Sequence, residues 1–264
     1  MELQSDFLQF KGFIFDCDGV IWEGKKLLPG VISLIKTLES LEKSIGFVTN
    51  NSTLSTANYL KKFSDLGLFI DKNQLVTSTQ AVIHYLNSLN PSILNIYVIG
   101  EAGLIDSIHS AGYNISEDPK IIDAVVVGMD RQFTYNKLRI GLRSILNGAR
   151  FIGTNPDPQF PTEDGFSPGA GSMIGALARA LEQEPEEILG KPNPLMAEIL
   201  LKQLNLPPKS CVMIGDRVST DLKFALNAKM TPVLVKTGFG KGEFNKNKNF
   251  PYYKVIDTLE QIFR

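Results

Sequence analysis

The sequence predicts an α/β protein: a doubly wound parallel sheet with a smaller α/β domain inserted into it. Three observations carry that prediction. First, short apolar runs alternate with stretches of helical periodicity. Gly12-Phe13-Ile14-Phe15, Ile45-Gly46-Phe47-Val48, Cys211-Val212-Met213-Ile214 and Val233-Leu234-Val235 read as strands with amphipathic helices between them, the order that yields parallel strands and right-handed crossovers. Runs apolar at every position suit strands buried on both faces. Second, three of these runs stop abruptly in acidic or small polar residues: Asp16-Cys17-Asp18-Gly19, Thr49-Asn50-Asn51-Ser52 and Gly215-Asp216-Arg217. In open α/β sheets, ligands bind beyond the carboxyl ends of the strands. Third, the region between has enough strands and helices to be a small domain of its own. Residues 1–79 and 186–264 are therefore expected to form the sheet domain, with 80–185 as the insertion.

In chain order, Glu23 to Pro29 is a polar connection and Pro29-Gly30 a helix entrance. Val31, Leu34, Ile35, Leu38 and Leu41 give a helix over about 30–43. Ser55 can cap the next helix, which carries Tyr59, Leu60, Phe63 and Leu66 and stops at Gly67. Thr77-Ser78-Thr79 precedes a helix through Val82, Tyr85 and Leu86, ended by Asn90-Pro91-Ser92. Strand patterns recur at about 96–100, 124–127 and 150–153, with helical ones over about 101–111 and 134–148. Asn155-Pro156-Asp157-Pro158 through Pro168-Gly169 is dense in turn formers, which predicts a functional loop or a hinge. Helices follow at about 172–183 and 194–204, and one starting near Ser219 includes Asp221. A polar loop over 239–251 and a short helix close the chain.

Composition narrows the function. The 264 residues are 43% hydrophobic and 21% charged, enough for a substantial core, and prescribe one or two domains. With 27 basic and 28 acidic residues, the net charge of -1 gives no support to a nucleic-acid or membrane-surface role. The two cysteines, Cys17 and Cys211, sit in strand-like contexts and fit buried free thiols better than a disulfide. No signal-peptide pattern and no membrane-length apolar run is present, so a cytoplasmic protein is expected.

Four clusters then complement one another: Asp16/Asp18, Thr49/Asn50, Lys191 and Asp216/Asp221. A carboxylate can attack phosphorus and divide a difficult displacement into two easier steps. Several carboxylates need a cation to coexist, and a hard oxygen-rich site suits Mg²⁺. A lysine, a hydroxyl and backbone amides suit the oxygens of a transferring phosphoryl group. Singly these residues have plainer readings. Lys191 before Pro192 also fits a solvated lysine at a helix entrance, Asp221 a favourable charge in a first helical turn, and Thr49-Asn50-Asn51 a turn.

Together, Phe15-Asp16-Cys17-Asp18-Gly19-Val20, Val48-Thr49-Asn50-Asn51-Ser52, Gly190-Lys191-Pro192, and Gly215-Asp216-Arg217 with Thr220-Asp221 resemble the four motifs of the haloacid dehalogenase (HAD) superfamily phosphatases. Their order, and an insertion between the second and third, resemble the 4-nitrophenyl-phosphatase and NagD-like subfamily. That resemblance implies a Rossmann-like core with a large α/β cap of the C2 type, and Mg²⁺-dependent hydrolysis of small phosphate monoesters through an aspartyl-phosphate. It implies Asp16 as nucleophile and metal ligand, and Asp18 as acid and base, with its carbonyl on the metal. Thr49 and Asn50 would hold phosphoryl oxygens, and Lys191 would neutralise charge. Asp216 would bind the metal, with Asp221 supporting its water shell or Lys191. Asn50, Asn51, Asn155 and Asp157, with Thr49 and Lys191, are the expected substrate contacts. A homodimer through the cap is expected by analogy.

Two other readings stay open: a phosphotransferase on the same fold, and a non-enzymatic relative that keeps it. Gly169-Ala170-Gly171-Ser172 lacks a P-loop lysine and reads as a helix entrance. His84 and His109 are expected in structural or surface positions. Cys17, beside Asp16, suggests that oxidation could inactivate the protein. Lys229 stands where the resemblance would put a helix-ending glycine.

Overall fold

The opening apolar run forms a strand, Gly12–Asp16, buried at all five positions. In the computed structural model, which describes residues 2–89, 93–162 and 165–263, this strand lies inside a six-stranded sheet. It pairs in parallel with Ser44–Thr49 on one side and Cys211–Gly215 on the other. Thr231–Val235 and then Lys254–Ile256 extend the sheet in parallel beyond Cys211–Gly215, while Leu75–Thr77 lies at the opposite edge. The chain thus builds outward from Gly12–Asp16 in one direction and later returns to build in the other. The reversal falls between Gly12–Asp16 and Cys211–Gly215, whose carboxyl ends flank the crevice such a switch point leaves. Val31–Ser40 buries Val31, Leu34, Ile35 and Leu38, and Leu195–Gln203 buries Met196, Ala197, Leu200 and Leu201.

The chain divides into two compact units. The first comprises Met1–Thr49, Leu60–Val76 and Lys191–Arg264, and holds most of the six-stranded sheet; the second comprises Asn50–Tyr59 and Thr77–Gly190. Among the described residues, the second unit has a five-stranded parallel sheet in the order Glu187–Ile188, Arg150–Gly153, Ala124–Val127, Asn95–Ile99, Asn114–Ile115. Its core joins Tyr97, Ile99, Val125, Val127 and Phe151 to Ile174 and Leu177 of the helix Ala170–Leu181. Ser78–Ser88 opens with a capping box: the Thr77 hydroxyl accepts from the Gln80 amide, and Gln80 Oε1 accepts from the Thr77 amide.

Several elements depart from the sequence reading. The turn-rich segment contains an antiparallel ribbon, Gln159–Thr162 with Gly165–Pro168. Pro161 and Pro168 argue against a strand in sequence, but a two-stranded ribbon has open edges where a missing N–H costs little. Asn114–Ile115 and Glu187–Ile188 are too short to show periodicity. The polar loop after Phe239 contains the helix Gly240–Lys246, and the chain closes on the strand Lys254–Ile256 and a 3₁₀ turn, Leu259–Ile262. The helix Val31–Ser40 stops before Leu41, which is exposed. The helix end expected at Asn90-Pro91-Ser92 lies outside the described residues. Lys229 does take the glycine position, with φ +60°. The Met230 amide bonds Ala225 O and the Lys229 amide bonds Leu226 O, so the Schellman cap forms around a lysine. No helix among the described residues is long and apolar enough to cross a membrane.

Candidate active site

Asp16 is the last residue of its strand and is buried. The chain then turns back on the Cys17 carbonyl, which accepts from the amides of Ile21 (2.9 Å) and Trp22 (3.2 Å). Gly19 has φ +84° inside that turn, a conformation that disfavours a side chain. Lys191, 2% exposed, makes an ion pair with Asp16 Oδ1 and a second with Asp221 Oδ1 at 2.7 Å. Asp216 follows the neighbouring strand, and its Oδ2 accepts from the Phe239 amide at 2.7 Å. Thr49 is buried at the end of Ser44–Thr49.

Asp221 sits where a capped helix was expected near Ser219. The segment Val218–Leu222 is instead a π-helical turn running into the helix Lys223–Asn227, and its N-cap residue, Arg217, makes no side-chain capping bond. The wider turn is held by its own Asp221 and by Glu243 of the helix Gly240–Lys246. Asp221 Oδ2 accepts from the amides of Asp216 (3.2 Å) and Arg217 (3.0 Å), and Glu243 Oε2 accepts from the Val218 amide (2.8 Å). Asp221 packs so close to Gly215 that a Cβ there would lie 2.6 Å from its Cγ, so the site needs a glycine at the strand end.

The electrostatics call for a cation. Asp16, Asp216 and Asp221 each offer a carboxylate oxygen within 4.8 Å of the others, and all three are buried. Burial pushes Asp16 up to about 8, against the pull of Lys191, and Asp221 adds to the rise. Burial, then Asp221 and Asp16, push Asp216 well above the usual carboxylate range. Burial disfavours the Lys191 ammonium, but Asp16 and Asp221 outweigh it and raise its pKa. One ammonium therefore serves three carboxylates. Both Asp221 oxygens are engaged by Lys191 and backbone amides. Among the described residues nothing bonds to Asp16 Oδ2 or Asp216 Oδ1. An all-oxygen pair of this kind, with excess negative charge around it, fits a hard divalent cation such as Mg²⁺. The Asp18 side chain stands apart from this cluster: it is exposed, and its Oδ1 accepts from Trp22 Nε1 at 2.9 Å.

The remaining expected contacts assemble in the second unit. Asn50 Nδ2 donates to Asp157 Oδ2 at 2.8 Å. The Asn50 carbonyl accepts from Asn155 Nδ2 and Ser78 Oγ, both at 2.7 Å. Asn155 is buried, also donates to Thr154 Oγ1, and accepts from the Asp157 amide. Its polar groups fasten the loop rather than facing a ligand. Asn51 Oδ1 likewise closes a local turn on the amide and hydroxyl of Thr53. Gly169 begins the helix Ala170–Leu181 as a plain entrance; the Gly169 amide bonds Pro158 O and the Gly171 amide bonds Asp157 O. Both histidines are exposed. Cys17 is a buried free thiol pushed well above its usual value by burial and then by Asp16 and Asp18. That opposes the expected oxidation route, which needs an accessible thiolate. Sequence reading missed Trp22, Glu243 and the Phe239 amide as supports of the site; nothing in their spacing announces them.

The sequence and the fold are both similar to those of known proteins. Residues 13–114 match the family described as haloacid dehalogenase-like hydrolase, and residues 188–262 match the HAD-hydrolase-like family. Phosphoglycolate phosphatase 1A, chloroplastic, of Arabidopsis thaliana is 37% identical over 248 residues, covering 86% of this chain and 68% of that protein. The chain belongs to the haloacid dehalogenase-like hydrolases. Among solved HAD structures, the p-nitrophenyl phosphatase from Archaeoglobus fulgidus superposes with a TM-score of 0.89 at 31% identity, covering 96% of this chain and 98% of that one. The glycerol phosphate phosphatase from Mycobacterium tuberculosis, solved in complex with magnesium, superposes with a TM-score of 0.80 at 27% identity, covering 90% of this chain and 71% of that one.

Proposed function

We propose that the protein is a Mg²⁺-dependent hydrolase of small phosphate monoesters, acting through an aspartyl-phosphate on Asp16. The observation that carries this reading is the buried Asp16–Lys191–Asp221 chain beside Asp216 at the switch point of the sheet. Asp16 attacks phosphorus with its carboxylate, and the ester P–O bond breaks as Asp18 gives a proton to the departing oxygen. Asp18 then takes a proton from the water that hydrolyses the acyl phosphate. Lys191 offsets the charge of Asp16 and of the phosphoryl group, and Asp221 holds Lys191 and the turn behind Asp216 in place. The Thr49 hydroxyl and the Asn50 amide bind phosphoryl oxygens. Asp16, Asp216 and the Asp18 carbonyl would hold a magnesium ion, which would supply the positive charge that lets an anionic nucleophile meet an anionic ester.

The inserted unit serves as a cap that selects the ester, with Asp157 tying its loop to Asn50. The relatives named for phosphoglycolate, p-nitrophenyl phosphate and glycerol phosphate support small phosphorylated metabolites as the substrate class. Two buried free thiols suit a reducing compartment. The test is phosphate release from a panel of phosphorylated metabolites, with and without Mg²⁺, beside Asp16→Asn. We expect metal-dependent release that Asp16→Asn lowers by about four orders of magnitude. Equal activity in that variant would overturn the mechanism.

A further inference from the structure

Trp22 is the chain's single tryptophan, and it is fully buried. Its ring meets Phe63 edge-on, with centroids 4.8 Å apart, and the Lys62 ammonium lies 4.0 Å from the ring centroid on its face. The backbone around it is equally fixed. The Trp22 amide bonds the Cys17 carbonyl, the Trp22 carbonyl accepts from the Gly19 amide at 2.8 Å, and Trp22–Glu23 pairs with Lys26–Leu27. A buried indole N–H needs an acceptor, and this one has the Oδ1 of Asp18, an otherwise exposed carboxylate. Among the described residues nothing bonds to Asp18 Oδ2. A firmly packed group thus grips one oxygen of an exposed side chain and leaves the other open.

We propose that Trp22 is a positioning residue for proton transfer: its indole N–H holds Asp18 Oδ1 and presents Oδ2 to the leaving oxygen. The inference rests on the assignment of Asp18 as the acid. As the ester P–O bond breaks, the Asp18 proton passes to the departing oxygen. The carboxylate left behind carries a new negative charge, and the hydrogen bond from Nε1 strengthens against it. The ring packing holds the donor still, so no reorganisation is needed at the moment of transfer. Lys62, over the same ring, draws electron density from the indole and favours the anionic product.

This role leaves a signature that packing alone would not. An alkoxide leaving group needs its proton, whereas 4-nitrophenolate departs without one. The experiment measures kcat/KM, which reports the step in which the ester bond breaks, for a series running from 4-nitrophenyl phosphate through phenyl phosphate to ethyl phosphate. Trp22→Phe keeps an aromatic ring and removes the N–H. A second form replaces the single tryptophan by β-(3-benzothienyl)alanine, whose sulfur stands where the N–H was, and guards against loss of folding.

Both should lower kcat/KM on ethyl phosphate by about tenfold to a hundredfold, the size of one hydrogen bond to a charged group. On 4-nitrophenyl phosphate the loss should stay within about threefold. In an Asp18→Asn background the same changes should add no further dependence on the leaving group. A uniform loss across the series, or none, would overturn the positioning role. Asp16→Asn, run alongside, separates the two ideas, because activity surviving there would sink the nucleophile assignment whatever Trp22 does.

Discussion

The two units of this molecule are built on one plan and differ in what their strands run into. Each has a parallel sheet with apolar strands and covering helices. In the first, the central strands end on Asp16, Thr49 and Gly215-Asp216, and the charges there are buried. In the second, the strands Asn95–Ile99, Ala124–Val127 and Arg150–Gly153 lead into Gly100, Gly128 and Thr154. Its ion pairs keep a foot in solvent: the Arg131 side chain is 66% exposed in its pair with Glu101, and Lys137 31% in its pair with Asp130. A fold of this kind is a frame, and chemistry depends on the groups it forces together out of water.

The sharpest way to break that comparison is to delete one cation from each unit. Lys191→Met leaves three buried carboxylates without their ammonium, and should cost about 3–5 kcal/mol in urea unfolding with chelator present. Arg131→Met should cost only about 1 kcal/mol, because its pair with Glu101 is open to solvent and screened by it. Similar losses would mean that the two sheets treat charge alike.

Titration should separate the units by sign. Asp16 and Asp216 have raised folded-state values. Their contribution is full below the ordinary carboxylate value and is lost as pH rises through the raised ones, a window that extends up to about 8 for Asp16. Glu101 is lowered, chiefly by its hydrogen bond from Arg131, so its contribution is present above the ordinary value and lost as pH falls through the lowered one. With chelator, Tm should therefore fall between pH 6 and pH 8. Added Mg²⁺ should restore more at pH 8 than at pH 6, and by about 2.7 kcal/mol at a hundredfold excess over its Kd. A Tm that rises over that interval without metal would contradict the charge assignment.

Away from the site the units should behave alike. Each has a helix ending on a non-glycine residue in the left-handed region, Lys229 (φ +60°) in the first and Glu182 (φ +53°) in the second. Lys229→Gly and Glu182→Gly should each gain about 1 kcal/mol with kcat unchanged. Unequal gains would show that the scaffolds differ too. The smallest effect belongs to Glu101→Gln, about 0.5 kcal/mol, since Arg131 is solvated.

How much of this could be read beforehand follows from the range of the forces. Strands such as Gly12–Asp16 and Cys211–Gly215 declare themselves because an unbroken apolar run has to be buried on both faces. Thr77 and Ser55 cap the helices that follow them, through bonds that span three residues. The ribbon of Gln159–Thr162 and Gly165–Pro168 was hidden by its prolines, and the π-helical turn at Val218–Leu222 by its dependence on Glu243 and on the amides that Asp221 gathers. Asn155 carries the chemistry of a ligand contact but spends it on Asn50, about a hundred residues away in the chain.

The alternation of strands and helices, the inserted region, and the kinds of group at each strand end are all written in the order of the residues. Periodicity and turn chemistry are local, and they survive in a linear text. Which of those groups share a charge depends on the folded chain. Lys191 reaches Asp16 across 175 residues and Asp221 across 30. Asp18 is gripped by an indole whose own place depends on Phe63 and Lys62 of a helix more than thirty residues on. Such partners are chosen by burial, which makes an unpaired charge or donor costly wherever the fold happens to put it.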